Sequence, residues 1–114
     1  MIKDGALDYI ELPGGDIAAM KQFYGSVFGW TFVDYGPDYA AFEADGRSGG
    51  FNAAREPVPS GGTLLVLYAN DLDAMEARVR DAGVTIISRE SFEGGRRFHF
   101  RDPGRNEVAV WTKE

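Results

Sequence analysis

Between Leu7 and Leu12 the side chains alternate as a strand requires, with Leu7, Tyr9 and Glu11 on one face and Asp8, Ile10 and Leu12 on the other. Pro13-Gly14-Gly15 stops this run, and the period then changes: Ile17, Met20, Phe23, Tyr24, Val27 and Phe28 recur at steps of three and four, the stripe of an amphipathic helix. Asp16 is placed to cap that helix, and Gly29 suits the left-handed position that ends it. Three short strands follow, at Trp30 to Asp34, Tyr39 to Glu43 and Gly49 to Ala54.

The order then repeats. Asp16-Ile17-Ala18-Ala19-Met20 returns as Asp71-Leu72-Asp73-Ala74-Met75, and Gly83 closes the second helix as Gly29 closes the first. Thr63 to Tyr68 precedes the second helix, whose inward stripe is Leu72, Met75, Val79 and Ala82, and strands at Val84 to Ser91, Arg97 to Arg101 and Glu107 to Thr112 follow. The turn Asp102-Pro103-Gly104-Arg105-Asn106 precedes the last strand. The expected architecture is therefore one α+β domain over residues 1–114, made of two βαβββ repeats at about 6–54 and 63–112. The Pro- and Gly-rich linker 55–62 joins them. Pairing the units hides the helices' apolar stripes and curves a mixed sheet into a cup, with the helices on its outer face. The offset that carries Asp16 onto Asp71 carries Tyr9 onto Leu64, so Tyr9, Glu11, Leu64 and Val66 are expected to point into the cup. Setting Gly46-Arg47 over Gly104-Arg105 likewise places Phe51 over Ala109.

Composition narrows the function classes. The chain has 114 residues, no cysteine, a single histidine and a formal net charge of -6. Disulfides, thiolate metal sites and cysteine nucleophiles are thereby excluded. The negative balance makes nucleic acid and anionic membranes poor partners, and no long uncharged apolar run marks a membrane span. Met1-Ile2-Lys3-Asp4-Gly5 lacks the apolar stretch of a secretory signal, so a cytoplasmic location is the default expectation. The glycine-rich stretches Gly46-Arg47-Ser48-Gly49-Gly50 and Glu93-Gly94-Gly95-Arg96-Arg97 do not lie between a strand and a helix N-terminus. They read as hairpin turns, not phosphate loops.

Five segments in order resemble the vicinal oxygen chelate superfamily, which includes glyoxalase I, extradiol dioxygenases and the fosfomycin and bleomycin resistance proteins. They are Tyr9-Ile10-Glu11-Leu12-Pro13 running into Asp16; Phe23-Tyr24; Phe28-Gly29-Trp30; Asp71-Leu72-Asp73; and Phe100-Arg101-Asp102-Pro103 followed by Asn106. The resemblance implies paired βαβββ modules forming a cupped sheet. It also implies a homodimer with pockets in or near the subunit interface. Catalytic relatives hold a divalent metal through four His, Glu or Gln ligands, which by position fall on Tyr9, Phe51, Leu64 and Ala109. Three of these have no lone pair to give, and tyrosine must lose a proton with a pKa near ~10 to ligate well. No metal and no other cofactor is expected.

The candidate ligand-binding residues are Tyr9, Glu11, Phe51, Leu64, Val66, His99, Ala109 and Trp111. His99 and Glu11 are the candidate catalytic pair. His99 stands at a position where extradiol dioxygenases similar to this chain carry a pocket-facing polar residue, with Phe98 and Phe100 turned to the helices. Glu11 could meet a cationic ligand, His99, or an arginine such as Arg97 or Arg101. Tyr9, Phe51 and Trp111 would give aromatic walls. Three functions compete. One is a metal-independent binder of a small organic molecule, and a second is a lyase, isomerase or dioxygenase using Glu11 and His99 as acid and base or as a shifted metal site. The third is a dimeric interaction module whose cup is filled by its own side chains.

Overall fold

The computed structural model describes residues 2–113. Asp16 sits in extended backbone and accepts a 3.1 Å hydrogen bond from the Ala19 N–H, capping α1 (Ile17–Phe28). Gly29, at φ 75°, ends it. Asp71 caps α2 (Leu72–Asp81) in the same way through the Ala74 N–H, at 3.0 Å. Around these helices lie β1 (Ile10–Pro13), β2 (Thr31–Asp34), β3 (Tyr39–Ala44) and β4 (Arg47–Asn52), then β5 (Leu65–Tyr68), β6 (Thr85–Phe92), β7 (Gly95–Arg101) and β8 (Glu107–Lys113). The first unit forms a sheet in the order β1-β4-β3-β2 and the second one in the order β5-β8-β7-β6. In each, the strand before the helix pairs in parallel and the rest are antiparallel. The paired βαβββ units of the α+β class are present, as two mixed sheets of four strands and not one continuous sheet. No helix among the described residues is long and apolar enough to cross a membrane.

Several boundaries move, and two show the cause. β1 starts at Ile10 and not at Leu7, because alternation marks side-chain faces while a strand needs a backbone partner, and pairing with β4 starts at Ile10 opposite Gly49. β4 starts at Arg47, since Asp45 and Gly46, both at positive φ (48° and 84°), form the two-residue turn that suits a tight hairpin.

Both sheets turn one face to the helices, and the side chains on those faces meet in one core. Tyr24 of α1 stacks on Trp30 (4.4 Å between centroids), Trp30 on Phe42 (4.6 Å), and Phe42 lies against Phe51 (5.1 Å). From the same helix Phe23 reaches Phe100 of the second sheet at 5.5 Å. This corrects one expectation. Phe51 is fully buried among these rings, and its β4 neighbours Gly50 and Asn52 occupy the opposite face. The reason is a register slip between the repeats: the β3–β4 turn has two residues while residues 102–106 separate β7 from β8, so matching the turns by their Gly-Arg pairs shifts β4 by one, and a shift of one reverses the face.

A buried polar cluster fastens the halves to each other. Asp102 Oδ1 accepts from the backbone N–H groups of Gly104 (2.8 Å) and Asn106 (2.9 Å), and Oδ2 accepts from the Tyr24 hydroxyl (2.8 Å). The Asn106 amide donates to both Asp102 oxygens and to the Pro13 carbonyl at the end of β1 (2.9 Å). Gly104 lies so close that an added Cβ would stand 2.9 Å from that same carbonyl. Burial pushes the Asp102 carboxyl above the usual carboxylate range against the pull of these donors, and pushes the Tyr24 phenol well up.

Two outcomes are expected in chemical denaturation. Asn106→Ala strips Asp102 and Pro13 of buried donors and lowers stability by roughly 2–3 kcal/mol. Because the native Asp102 carboxyl holds its proton more tightly than the unfolded one, its ionisation costs stability as pH rises through the raised value. The stability of the wild type minus that of Asp102→Asn therefore falls as pH climbs from the ordinary carboxylate range and levels off above it, and a flat difference would contradict the assignment.

Candidate functional site

The faces turned away from the helices carry the polar residues. On the first sheet, Glu11 lies beside Gly50 in the β1–β4 ladder, and Asn52 beside Tyr39 in the β3–β4 ladder. The Asn52 amide donates to Glu11 Oε2 at 3.3 Å, and the Arg55 guanidinium stands 3.8 Å from the same oxygen. The hydroxyls of Tyr9 and Tyr39 bond each other at 2.6 Å directly over Gly50, where any Cβ would collide with both. Loss of hydration, the bond to Tyr9 and the nearby Glu11 carboxylate raise the Tyr39 phenol well above its ordinary range.

On the second sheet, β7 holds His99 opposite Ala109 of β8 and Ser88 of β6, with Val66 of β5 beyond Ala109. Phe98 and Phe100 point to the helices, as the alternation requires. The imidazole is buried, its Nδ1 2.6 Å from Glu107 Oε2. Among the described residues its Nε2 has no hydrogen-bond partner, and Glu90 Oε1 stands 3.5 Å away. Arg97 binds Glu90 and is the main cause of that carboxyl's lowered pKa, with His99 adding to it. Trp111 pairs with Arg97 in the ladder and meets the half-exposed Tyr68 edge to face at 5.3 Å.

The candidate residues thus fall into two groups, one per sheet: Tyr9 with Glu11, and Val66 with His99, Ala109 and Trp111. Leu64, just before β5, lines a small cavity with Val58 and Glu107. The groups approach each other where β1 faces the start of β8. There Glu11, Arg55, Thr63, Asn106 and Glu107 line a cleft of about 300 Å³. Glu11 and His99 do not bond each other, and the arginine beside Glu11 is Arg55, neither Arg97 nor Arg101. Arg101 instead donates to the Pro59 carbonyl at 2.7 Å and pins the linker.

Among the site residues that escaped the reading of the sequence, Glu107 and Glu90 flank His99, and Asn52, Arg55 and Tyr39 attend Glu11 and Tyr9. Glu107 had a usable signal, since folding β7 onto β8 about residues 102–106 puts it on the face of His99 one strand away. Tyr39 had none, because its partner lies thirty positions earlier and only the sheet order brings the two together.

Tested on its donors, this face does not fit the divalent ion of the catalytic relatives. Phe51 is in the core, and the β4 position on this face is Gly50. Leu64 and Ala109 are hydrocarbon, and the Tyr9 hydroxyl is taken up by Tyr39. Among the described residues no three His, Asp or Glu side chains form a group able to hold a metal ion.

The two neighbouring glycines of β4 separate fold from site. Gly49→Ala drives a methyl into the Ile10 carbonyl and the Phe42 ring, and destabilises the protein by roughly 1–3 kcal/mol. Gly50→Ala meets only tyrosine tips that can swing away, and costs less than about 1 kcal/mol while breaking the Tyr9–Tyr39 bond. Equal losses in denaturant titrations would contradict this division.

Known proteins share the fold and parts of the sequence. Anthracycline biosynthesis proteins DauV of Streptomyces sp. (strain C5) and DnrV of Streptomyces peucetius are 31% and 30% identical over 96% of the chain. The chain spans about half the length of these curated relatives, 47% in each case. Among solved structures, TnmS3, an antibiotic binding protein from Streptomyces sp. CB03234, superposes with a TM-score of 0.76 at 21% identity, covering 100% of both chains. An integron cassette protein from the mobile metagenome of V. cholerae gives 0.72 at 25% identity, covering 100% of this chain and 99% of its own. The family model described as Glyoxalase/Bleomycin resistance protein/Dioxygenase superfamily matches residues 6–110, and the chain belongs to that superfamily.

Proposed function

We propose that this protein binds a small organic molecule, without a metal, in the cleft between β1 and the start of β8. The observation that carries the reading is the convergence of Glu11, Arg55 and Glu107 on one concavity between the halves, with His99 seated behind Glu107. A few polar groups around a concavity fix a ligand's orientation while apolar neighbours supply contact. Tyr9, Leu64, Val66, Ala109 and Trp111 lie outside the lining of the cleft, and Leu64 borders it through the small cavity it shares with Val58 and Glu107. Only hydrocarbon, backbone and an already bonded phenol stand at the metal positions, which supports binding without an ion. The antibiotic-binding relative and the two anthracycline biosynthesis relatives favour an antibiotic-type molecule as the ligand. Pairing of two copies, as the family resemblance implies, would enclose the ligand further.

A second reading, proton-transfer catalysis, is favoured by the 2.6 Å contact of His99 with Glu107, since an oriented imidazole is the usual general base. Its catalytic pair would be His99 and Glu107, with Glu11 on the far side of the cleft.

Titration calorimetry with a panel of antibiotic-type compounds, before and after exhaustive chelation, tests the main reading. At least one compound binds, its Kd changes less than about twofold on chelation, and Glu11→Gln and Glu107→Gln each weaken it about tenfold, or roughly 1.4 kcal/mol. A strict metal requirement would overturn metal independence. Turnover of a bound compound that disappears in His99→Asn with binding retained would establish the second reading.

A further inference from the structure

We propose that a second groove, at the free edge of β5 and meeting the β1–β8 cleft at Ile10 and Leu65, takes an amphipathic organic anion: an apolar or aromatic body bearing one acidic group. This concavity has a volume of about 750 Å³, within the roughly 300–1,000 Å³ of small-molecule sites. Its walls are Val27, Phe28 and Trp30 at the end of α1, Leu65 and Leu67 of β5, and Met75 of α2. Phe28, Leu65, Leu67 and Met75 belong to the rim of the core and are only half-buried, so the groove is a place where the core opens to solvent. At the corresponding junction along β1, residues of the 55–63 segment enter the lining and the cavity is about 300 Å³. Along β5 the linker does not contribute.

Charge selects the occupant. The chain carries -6, yet this groove is lined by two guanidinium groups, Arg47 and Arg78, and a single carboxylate, Asp45. Arg78 is held across the halves by donating to the Ser26 carbonyl at 3.3 Å. Arg47 is exposed and makes no ion pair with a described residue. A neutral hydrocarbon would leave these cations unused, and an anionic head can pair with them while its body covers Trp30 and the leucines.

The chain has two tryptophans, so Trp111→Phe leaves Trp30 as the sole reporter, positioned in the groove wall. The probes are 1-anilinonaphthalene-8-sulfonate and its uncharged counterpart N-phenyl-1-naphthylamine, followed by energy transfer from Trp30, with sedimentation velocity on the same samples. One sulfonate per chain binds saturably and quenches Trp30. Arg47→Glu weakens it at least tenfold and changes the uncharged probe less than twofold. Leu67→Lys, or Met75→Lys should the first variant fail to give the native circular dichroism, weakens both probes. Absence of Trp30 transfer, or equal loss of both probes in Arg47→Glu, overturns the proposal. So does a dimer that admits the sulfonate only on dissociation, because the occupant is then a second copy. Trp111, Arg47, Leu67 and Met75 all lie outside the lining of the β1–β8 cleft, so loss of this site and loss of the cleft are distinguishable.

Discussion

Tyr24 ties the molecule together through its two ends. Its ring stacks between Trp30 and the Phe51 side of the first sheet, and its hydroxyl ends on Asp102, a carboxylate of the second half. A helix with aromatic residues at consecutive positions 23 and 24 can serve both sheets, because Phe23 turns toward Phe100 while Tyr24 turns toward Phe51. The Asp102–Asn106 cluster completes the joint with directional bonds that an apolar contact lacks, and so sets where β1 stands relative to β8. The distance between Glu11 and Glu107, and therefore the shape of the cleft, depends on that joint.

Strand parity then distributes the chemistry. Each sheet has spent one face on aromatic and aliphatic packing, and every polar group of interest is on the other. On the first sheet that face is built around Gly50, whose missing side chain lets two phenols meet over the backbone. On the second it is built around a lone histidine set between two carboxylates. The repeats are equivalent in backbone and different in chemistry, which suits an unsymmetrical ligand. The same difference sets the two concavities apart: the cleft at β1 is rich in carboxylates, and the groove at β5 has a local excess of guanidinium.

The helix caps, the glycine stops, the repeat and its linker were legible in the residues, because each is decided within a few positions of backbone: a carboxylate reaches the third N–H ahead of it whatever the rest of the fold does. The faces of β1, β5, β7 and β8 were legible too, by simple alternation. The face of β4 was not. Its assignment leaned on equivalence between two turns that differ in length, and Phe51 was thereby placed opposite to where it packs.

What the amino-acid order determined by itself is thus the element order and the pairing of two like units, since caps, stops and side-chain periods are decided between near neighbours. Tertiary structure alone decided which partners meet: Arg55 and Asn52 at Glu11, Tyr39 at Tyr9, and the opening of the core at β5. Such contacts join residues tens of positions apart: strand order brings Tyr39 to Tyr9 and Asn52 to Glu11, the packing of the two units leaves the core open at β5, and no local pattern encodes either.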